Sequence, residues 1–336
     1  MKTAIYGAGS MGTVLGAYIT QAGTPIDLIT RNKAHVEALK AHGARIEGTA
    51  SFTTPVSALT PEDMTGVYDI LFLMTKQQDT AQMMAFLSPH LAPDGVICSL
   101  QNGIPEPDMA DILGEERVLG CSVAWGATLE EPGRVSMTSD KDSMTFSLGG
   151  LGKVNLDRLE QVKALLELMC PVAVEKNFLG GRWAKLLINA AFSGMGTVIG
   201  GTFGDVADDK RARLCAQKVM KECIDVSRAA GVKMEPVQGK DLVKIFDYTG
   251  PLKQKIAFVL IPVAIKKHRL IKPSMLQDLE KGKKCEVDFI NGQVCATGRK
   301  HGVPTPYNDT IVAVIHGIEE GKYTPCPDNL SLFQGL

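Results

Sequence analysis

The tightest constraint on this chain sits at its start. A short apolar run, Thr3-Ala4-Ile5-Tyr6, leads into Gly7-Ala8-Gly9-Ser10-Met11-Gly12, and Val14-Leu15-Gly16-Ala17-Tyr18-Ile19 follows with helical character. In a strand–turn–helix unit the first glycine permits the tight turn, the second lets backbone approach a pyrophosphate, and the third lets helix pack close to strand. The helix N-terminus then presents N–H groups and the positive end of its dipole to an anion. A glycine-rich turn alone is often only a surface loop. The order of strand, glycines and helix makes Gly7, Ala8, Gly9, Ser10, Met11 and Gly12 the expected phosphate cradle of a dinucleotide site.

The rest of the first half repeats the theme. Short β-rich runs at 3–6, 26–30, 69–74, 95–99, 118–124, near 144–148 and at 171–174 alternate with helix-length segments, while 132–152 reads as polar and glycine-rich. That alternation predicts an α/β fold, a Rossmann-type doubly wound sheet. Beyond Phe178 the spacing becomes helical, over 182–192, 207–230, 253–267, 274–281 and 286–301. At 336 residues the chain has room for two domains, a dinucleotide-binding one over 1–177 and a mainly helical substrate domain over 178–336. No repeat or low-complexity linker separates them, so a cleft between directly packed halves is expected. Residues 325–336 form a proline-containing tail without a clear assignment.

Composition narrows the function classes. Thirty-six Lys and Arg against 37 Asp and Glu leave a net charge of −1, too little field to hold nucleic acid or an anionic membrane. The apolar stretch 256–265 contains Pro262 and is flanked by Lys255 and Lys266. It is too short to span a bilayer and is expected as a buried helix. The apolar strand begins too early to leave room for a leader, which predicts a cytoplasmic protein. Eight cysteines without a C-x-x-C pair suggest reduced core thiols, and six histidines without ligand spacing predict no metal site. The sequence admits a homodimer without requiring one.

The ends of later strands carry polar groups, and ligands of open parallel sheets bind outside the carboxyl ends of the strands. After the second strand stands Thr30-Arg31-Asn32-Lys33, two cations where an NAD site usually places an acid. A guanidinium pairs with a 2′-phosphate, so Arg31 predicts NADP(H); the other reading of Arg31 and Lys33 is a pair of solvated loop charges. Lys76 and Gln101-Asn102-Gly103 occupy two further strand ends. Lys76 could meet a phosphate or ribose and Asn102 a ribose or substrate oxygen, although Asn-Gly equally suits a plain turn.

In the helical half, Lys185, Asn189 and Ser193 stand four apart in an otherwise apolar run, on one helix face. A lysine drawn into an apolar cleft is a readier proton donor near neutral pH, whereas the bland alternative is a snorkelling side chain. Further on, Lys272-Pro273-Ser274-Met275-Leu276-Gln277-Asp278 opens a helix and Glu286 precedes another. Taken singly, Ser274 and Glu286 read as helix-start residues.

As an ordered series, these stretches together with Glu286-x-Asp288-x-Ile290-Asn291-Gly292 and Gly302-Val303-Pro304-Thr305-Pro306 resemble the ketopantoate reductase (2-dehydropantoate 2-reductase) family over nearly the whole chain. The resemblance implies NADPH-dependent reduction of a small 2-oxo acid, 2-dehydropantoate to pantoate in pantothenate biosynthesis. It assigns Lys185 as proton donor and gives Glu286 a catalytic and cofactor-contacting part. Asn102, Asn189 and Ser274 match substrate positions, with Ser193 in the same face. Lys76 and Asn102 match cofactor contacts, and Ala127 falls near a further backbone contact. The chain departs from the family's founding sequences at Ser193, where they carry a second Asn, and at Phe203-Gly204, where they have an Asn before Gly. Met195-Gly196-Thr197 stands in place of their Leu-Thr-Ala. Two amide donors are thereby lost near the expected substrate tail. A related β-hydroxy acid dehydrogenase or imine reductase, and an NADP-binding regulator without turnover, are the alternative readings.

Overall fold

Strand β1 (Thr3–Tyr6) is buried at every position, the pattern of a strand covered on both faces. In the computed structural model, which describes residues 1–77, 80–237 and 239–336, it is followed by β2 (Asp27–Ile29), β3 (Ala44–Gly48), β4 (Phe52–Thr54), β5 (Ser57–Leu59), β6 (Tyr68–Leu73), β7 (Leu91–Ser99), β8 (Val118–Val123), β9 (Ala127–Glu131), β10 (Arg134–Met137), β11 (Phe146–Gly149) and β12 (Val172–Val174). The contacts divide into two compact units, Met1–Phe178 and Leu179–Leu336.

In the first unit, eight strands form one sheet in the order β12-β11-β8-β7-β6-β1-β2-β5. From β8 to β5 all neighbours run parallel, and β11 turns antiparallel to β8. Helices α1 (Ser10–Gln21), α2 (Lys33–His42), α3 (Thr80–Leu87), α4 (Glu106–Leu113) and α5 (Leu156–Glu167) connect them. One core cluster joins Ile5, Leu15, Leu28 and Phe72 to Ile46, Val135 and Met137, and a second gathers Tyr6, Leu71, Leu73, Met84 and Met109.

The sequence reading missed a second sheet, ordered β4-β3-β10-β9. Its strand β10 falls inside the stretch expected to be a polar, glycine-rich connection, because the alternation Arg134-Val135-Ser136-Met137 is only four residues long and does not stand out beside the polar turn before it. This sheet covers α1, whose Thr13, Val14, Leu15, Ala17 and Ile19 are all buried. The helix of the glycine motif is therefore enclosed rather than laid on a surface.

The second unit is built of helices: α6 (Phe178–Ile188), a wide π-helical turn (Asn189–Gly194), α7 (Met195–Ile199), α8 (Phe203–Asp208), α9 (Lys210–Ala229), α10 (Leu242–Phe246), α11 (Pro251–Ala264), α12 (Ser274–Glu280), α13 (Val287–His301) and α14 (Pro306–Glu319). The run expected over 207–230 is split because Asp209 caps α9, its Oδ1 accepting from the N–H groups of Arg211 at 2.8 Å and Ala212 at 2.9 Å. The tail is ordered as a short 3₁₀ segment (Pro327–Phe333), with Asn329 donating to the Val198 carbonyl at 3.0 Å.

One expectation is overturned. The apolar stretch 256–265 is not a buried helix: Ala257, Ile261 and Ile265 face the interior, whereas Ile256, Val259 and Val263 are 51%, 66% and 66% exposed. Among the described residues only one face of α11 has a neighbour, and an all-round apolar sequence does not reveal that.

Candidate active site

The glycine motif has the geometry that its spacing predicts. Gly7 follows β1 at φ +103°, and a Cβ there would stand 2.4 Å from the Thr75 backbone nitrogen. At Gly12 a Cβ would stand 2.6 Å from the Gly7 carbonyl oxygen, so α1 packs against the turn that precedes it. Gly9 is the contrast, since a Cβ there would meet nothing within 4 Å. Backbone is tight on the protein side and open on the other. Gly9 also caps α1, no side chain bonds across the cap, and the first turn carries no acid. The leading N–H groups of Ser10, Met11 and Gly12 belong to a helix end that lacks intrahelical partners, which is the arrangement a pyrophosphate satisfies. These residues fit a dinucleotide.

The other candidates in this unit sit after neighbouring strands. Asn102, Lys76, the Gly7–Gly12 turn and Arg31 follow β7, β6, β1 and β2, four adjacent parallel strands of the sheet. Gln101 ties two of these ends together, its Nε2 donating to the Thr75 carbonyl at 3.1 Å and to Thr75 Oγ1 at 3.2 Å. Arg31 and Lys76 are exposed and Asn102 is half-buried. Asn32, beside Arg31, caps α2 through its Oδ1, which accepts from His35 N–H at 3.2 Å. Arg31 also acts on Tyr6: burial pushes that phenol up, and the guanidinium pulls it partly back. Ala127 opens β9 of the second sheet, paired with Met137.

Sequence reasoning missed a brace behind the cradle. His35 is 1% exposed and joins three segments. The Gly133 N–H donates to His35 Nδ1 at 2.9 Å, so Nε2 carries the proton and donates to Thr13 Oγ1, also at 2.9 Å. Thr13 in turn donates to the Ala8 carbonyl at 3.4 Å. Burial holds the imidazole below its ordinary range and keeps it neutral. Nothing local in the sequence marks this chain of contacts, in which directly bonded residues lie up to 98 positions apart.

In the second unit, Lys185 lies half-buried on α6 among buried Trp183, Ala184, Leu186 and Leu187. Asn189 begins the wide turn, and Ser193 lies within it, 6% exposed. The regular helix expected over 182–192 is thus interrupted at Asn189, and π-bulges of this kind recur at functional sites. Ser274 is the first residue of α12, exposed, with Pro273 at the cap; Glu286 precedes α13 and is 7% exposed. Both α12 and α13 pack against the wide turn. The fold therefore gathers the elements bearing Lys185, Asn189, Ser193, Ser274 and Glu286 around one interrupted helix.

The profile described as Ketopantoate reductase PanE/ApbA matches residues 3–149, and its C-terminal counterpart matches residues 177–319. The chain belongs to the ketopantoate reductase family. The 2-dehydropantoate 2-reductase of Pyrococcus horikoshii is 27% identical over 321 residues, covering 95% of this chain and 98% of that protein. The enzyme of the same name from Archaeoglobus fulgidus is 28% identical over 323 residues, with the same coverage of 95% and 98%. Among solved structures, a PanE/ApbA family ketopantoate reductase from Ralstonia eutropha shares the fold at a TM-score of 0.79 and 27% identity, covering 96% of this chain and 99% of that one. D-mandelate dehydrogenase, solved with NADH and anilino(oxo)acetate, matches at a TM-score of 0.81 with 96% and 99% coverage, but at 23% identity the likeness is one of fold. Among the described residues no helix is long and apolar enough to cross a membrane, and no group of His, Cys, Asp or Glu is placed to hold a metal ion.

Proposed function

We propose that this chain is an NADPH-dependent reductase converting a 2-oxo acid to its 2-hydroxy acid, with 2-dehydropantoate to pantoate as its reaction. The observation that carries the reading is the half-buried Lys185 on an apolar helix face, one turn before Asn189, in a ketopantoate reductase family member. Residues 1–177 hold the cofactor through Gly7, Ala8, Gly9, Ser10, Met11 and Gly12, with Arg31 on the 2′-phosphate and Lys76, Asn102 and Ala127 as further contacts; Glu286 of the second unit adds another. Residues 178–336 supply substrate binding and catalysis.

The cofactor, when bound, supplies a hydride equivalent to the carbonyl carbon. As negative charge grows on the carbonyl oxygen, Lys185 Nζ gives up a proton to it, completing the hydroxyl. The side-chain amides of Asn189 and Asn102 orient substrate oxygens, and the Ser274 hydroxyl donates to the carboxylate or a hydroxyl. Ser193 borders the substrate tail. Glu286, nearly buried at the start of α13, positions the ammonium.

The test is Lys185→Ala, read as loss of reduced-nicotinamide absorbance with 2-dehydropantoate. A fall in kcat of about 10²-fold or more is expected, the scale of general acid catalysis. Near-normal turnover would remove Lys185 from the mechanism. If the intact protein binds NADPH but oxidises it with no 2-oxo acid, the non-catalytic reading takes over.

All eight cysteines are free thiols, six of them buried, which suits a cytoplasmic, reducing compartment. A second copy is the partner proposed for α11: Leu252, Ile256, Val259 and Val263, exposed by 72%, 51%, 66% and 66%, repeat at the 4-3-4 spacing of a self-complementary helix seam.

A further inference from the structure

Three buried polar side chains that the proposed mechanism does not use hold the wide turn from outside. Glu222 on α9 caps α14, its Oε1 accepting from the Tyr307 N–H at 2.9 Å and its Oε2 from the Asn308 N–H at 3.0 Å. The same Oε2 accepts from Asn308 Nδ2 at 2.7 Å. Asn308 then presents Oδ1 to Asn291 Nδ2 on α13 at 2.9 Å, and that Nδ2 also donates to the Ala190 carbonyl at 3.1 Å. Asn291 and Asn308 are 0% exposed and Glu222 9%.

The orientations are forced. Flipping Asn308 would set its carbonyl oxygen against the Glu222 carboxylate and its NH₂ against the NH₂ of Asn291. The carboxylate therefore fixes Asn308, and Asn308 fixes Asn291. At the far end Asn291 meets backbone inside the wide turn, where closing a helical turn with one extra residue disturbs the regular ladder and a carbonyl needs an outside donor. Gly194 makes the close approach feasible, since a Cβ there would stand 2.8 Å from Asn291 Oδ1.

The wide turn matters because of phase. Along a regular α-helix each step of four residues rotates a side chain by about 40°, so two steps would carry Ser193 about 80° away from Lys185. A turn closed by i→i+5 bonds advances less per residue and swings Ser193 back toward the side of the helix that carries Lys185.

We infer that Asn291 is a positioning residue: through the Ala190 carbonyl it holds the wide turn, and so the placement of Ser193 relative to Lys185 and Asn189. Its effect falls on the discrimination of 2-oxo acids by their tails, and the inference rests on the function proposed above. Neither Asn291 nor its partners touch the reacting atoms in that scheme. Removing the clamp changes which acids are accepted more than it changes cofactor affinity.

The experiment compares the intact protein with Asn291→Leu, close in size but without a donor, and Asn291→Ser, which keeps one. In Asn291→Leu, hydrogen exchange in peptides spanning 189–197 is expected to quicken about 10-fold or more, with α9 and the first unit unchanged. Its kcat/KM for branched 2-dehydropantoate is expected to fall about 10-fold and that for unbranched 2-oxobutanoate less than about 3-fold, with NADPH affinity unaltered. Asn291→Ser should recover part of both effects. Unchanged exchange across 189–197, or equal losses for the two acids, would overturn the inference. If the intact protein reduces neither acid, the proposed function fails, and the exchange measurement alone then decides whether Asn291 holds the turn.

Discussion

The Gly133 N–H donates to Nδ1 of His35 at 2.9 Å, and this single contact fixes the imidazole as a neutral Nε2–H tautomer behind the phosphate cradle. Its pKa is lowered by burial, so in the folded state the ring resists protonation, whereas in the unfolded chain it takes up a proton near pH 6.5. The unfolded state then binds more protons, and this contribution to stability is lost as pH falls below about 6.5, by up to about 1.4 kcal/mol per pH unit. Urea midpoints at pH 7.5 and pH 5.5 should show the drop. His35→Gln, which cannot become charged, should flatten it; an unchanged pH dependence would show that another group is responsible.

Gly9 and Gly7 should respond oppositely to alanine. A methyl at Gly9 enters open space, so Gly9→Ala should fold normally and lose NADPH affinity by about 10-fold or more, because the methyl occupies the anion's approach. At Gly7 the methyl would collide with the Thr75 backbone at a φ of +103°, so Gly7→Ala should unfold at lower temperature even without cofactor. Fluorescence titration and thermal melts separate the two. A Gly9→Ala protein that binds NADPH as the parent does would place the anion elsewhere.

Arg31 is exposed and follows β2, where an NAD site would carry an acid. Arg31→Ala should weaken NADPH binding by about 10-fold, the worth of one charge-assisted contact, and leave NADH binding nearly unchanged. Calorimetry with both cofactors measures the ratio. Equal losses for the two would move Arg31 away from the 2′-phosphate.

Val259 is 66% exposed at the centre of the α11 stripe, so Val259→Asp should leave circular dichroism unaltered and convert a dimer to a monomer in light scattering. A protein that is monomeric at its highest soluble concentration would refute the pairing of two copies.

The first unit's main sheet was legible because its strands are buried on both faces and stand out as apolar runs: Ile70 to Leu73 on β6 is wholly buried. The close backbone approaches at Gly7 and Gly12 were legible for a different reason, since backbone constraint is written as glycine. The second sheet escaped because β9 and β10 are only five and four residues long, and β10 pairs with a strand some 90 residues away, Arg134 with Arg45. In the helical unit, the spacing of Lys185, Asn189 and Ser193 was visible, but the wide turn that rephases them was not: Asn189-Ala190-Ala191-Phe192-Ser193-Gly194 carries no breaker before Gly194. The donor that stabilises it comes from Asn291, 101 positions along the chain. Periodicity can read one helix against itself; it cannot read a side chain that arrives from another.

The enclosure of α1 by two sheets has a consequence for how damage to this protein would present. The helix proposed above to meet the coenzyme is also a pillar of its half of the molecule, so its positioning depends on hairpin residues such as Gly133, which has no part in the proposed cofactor contacts. Lesions scattered over that outer cover would first surface as a raised requirement for NADPH, reversible by excess of it, well before any loss of soluble protein.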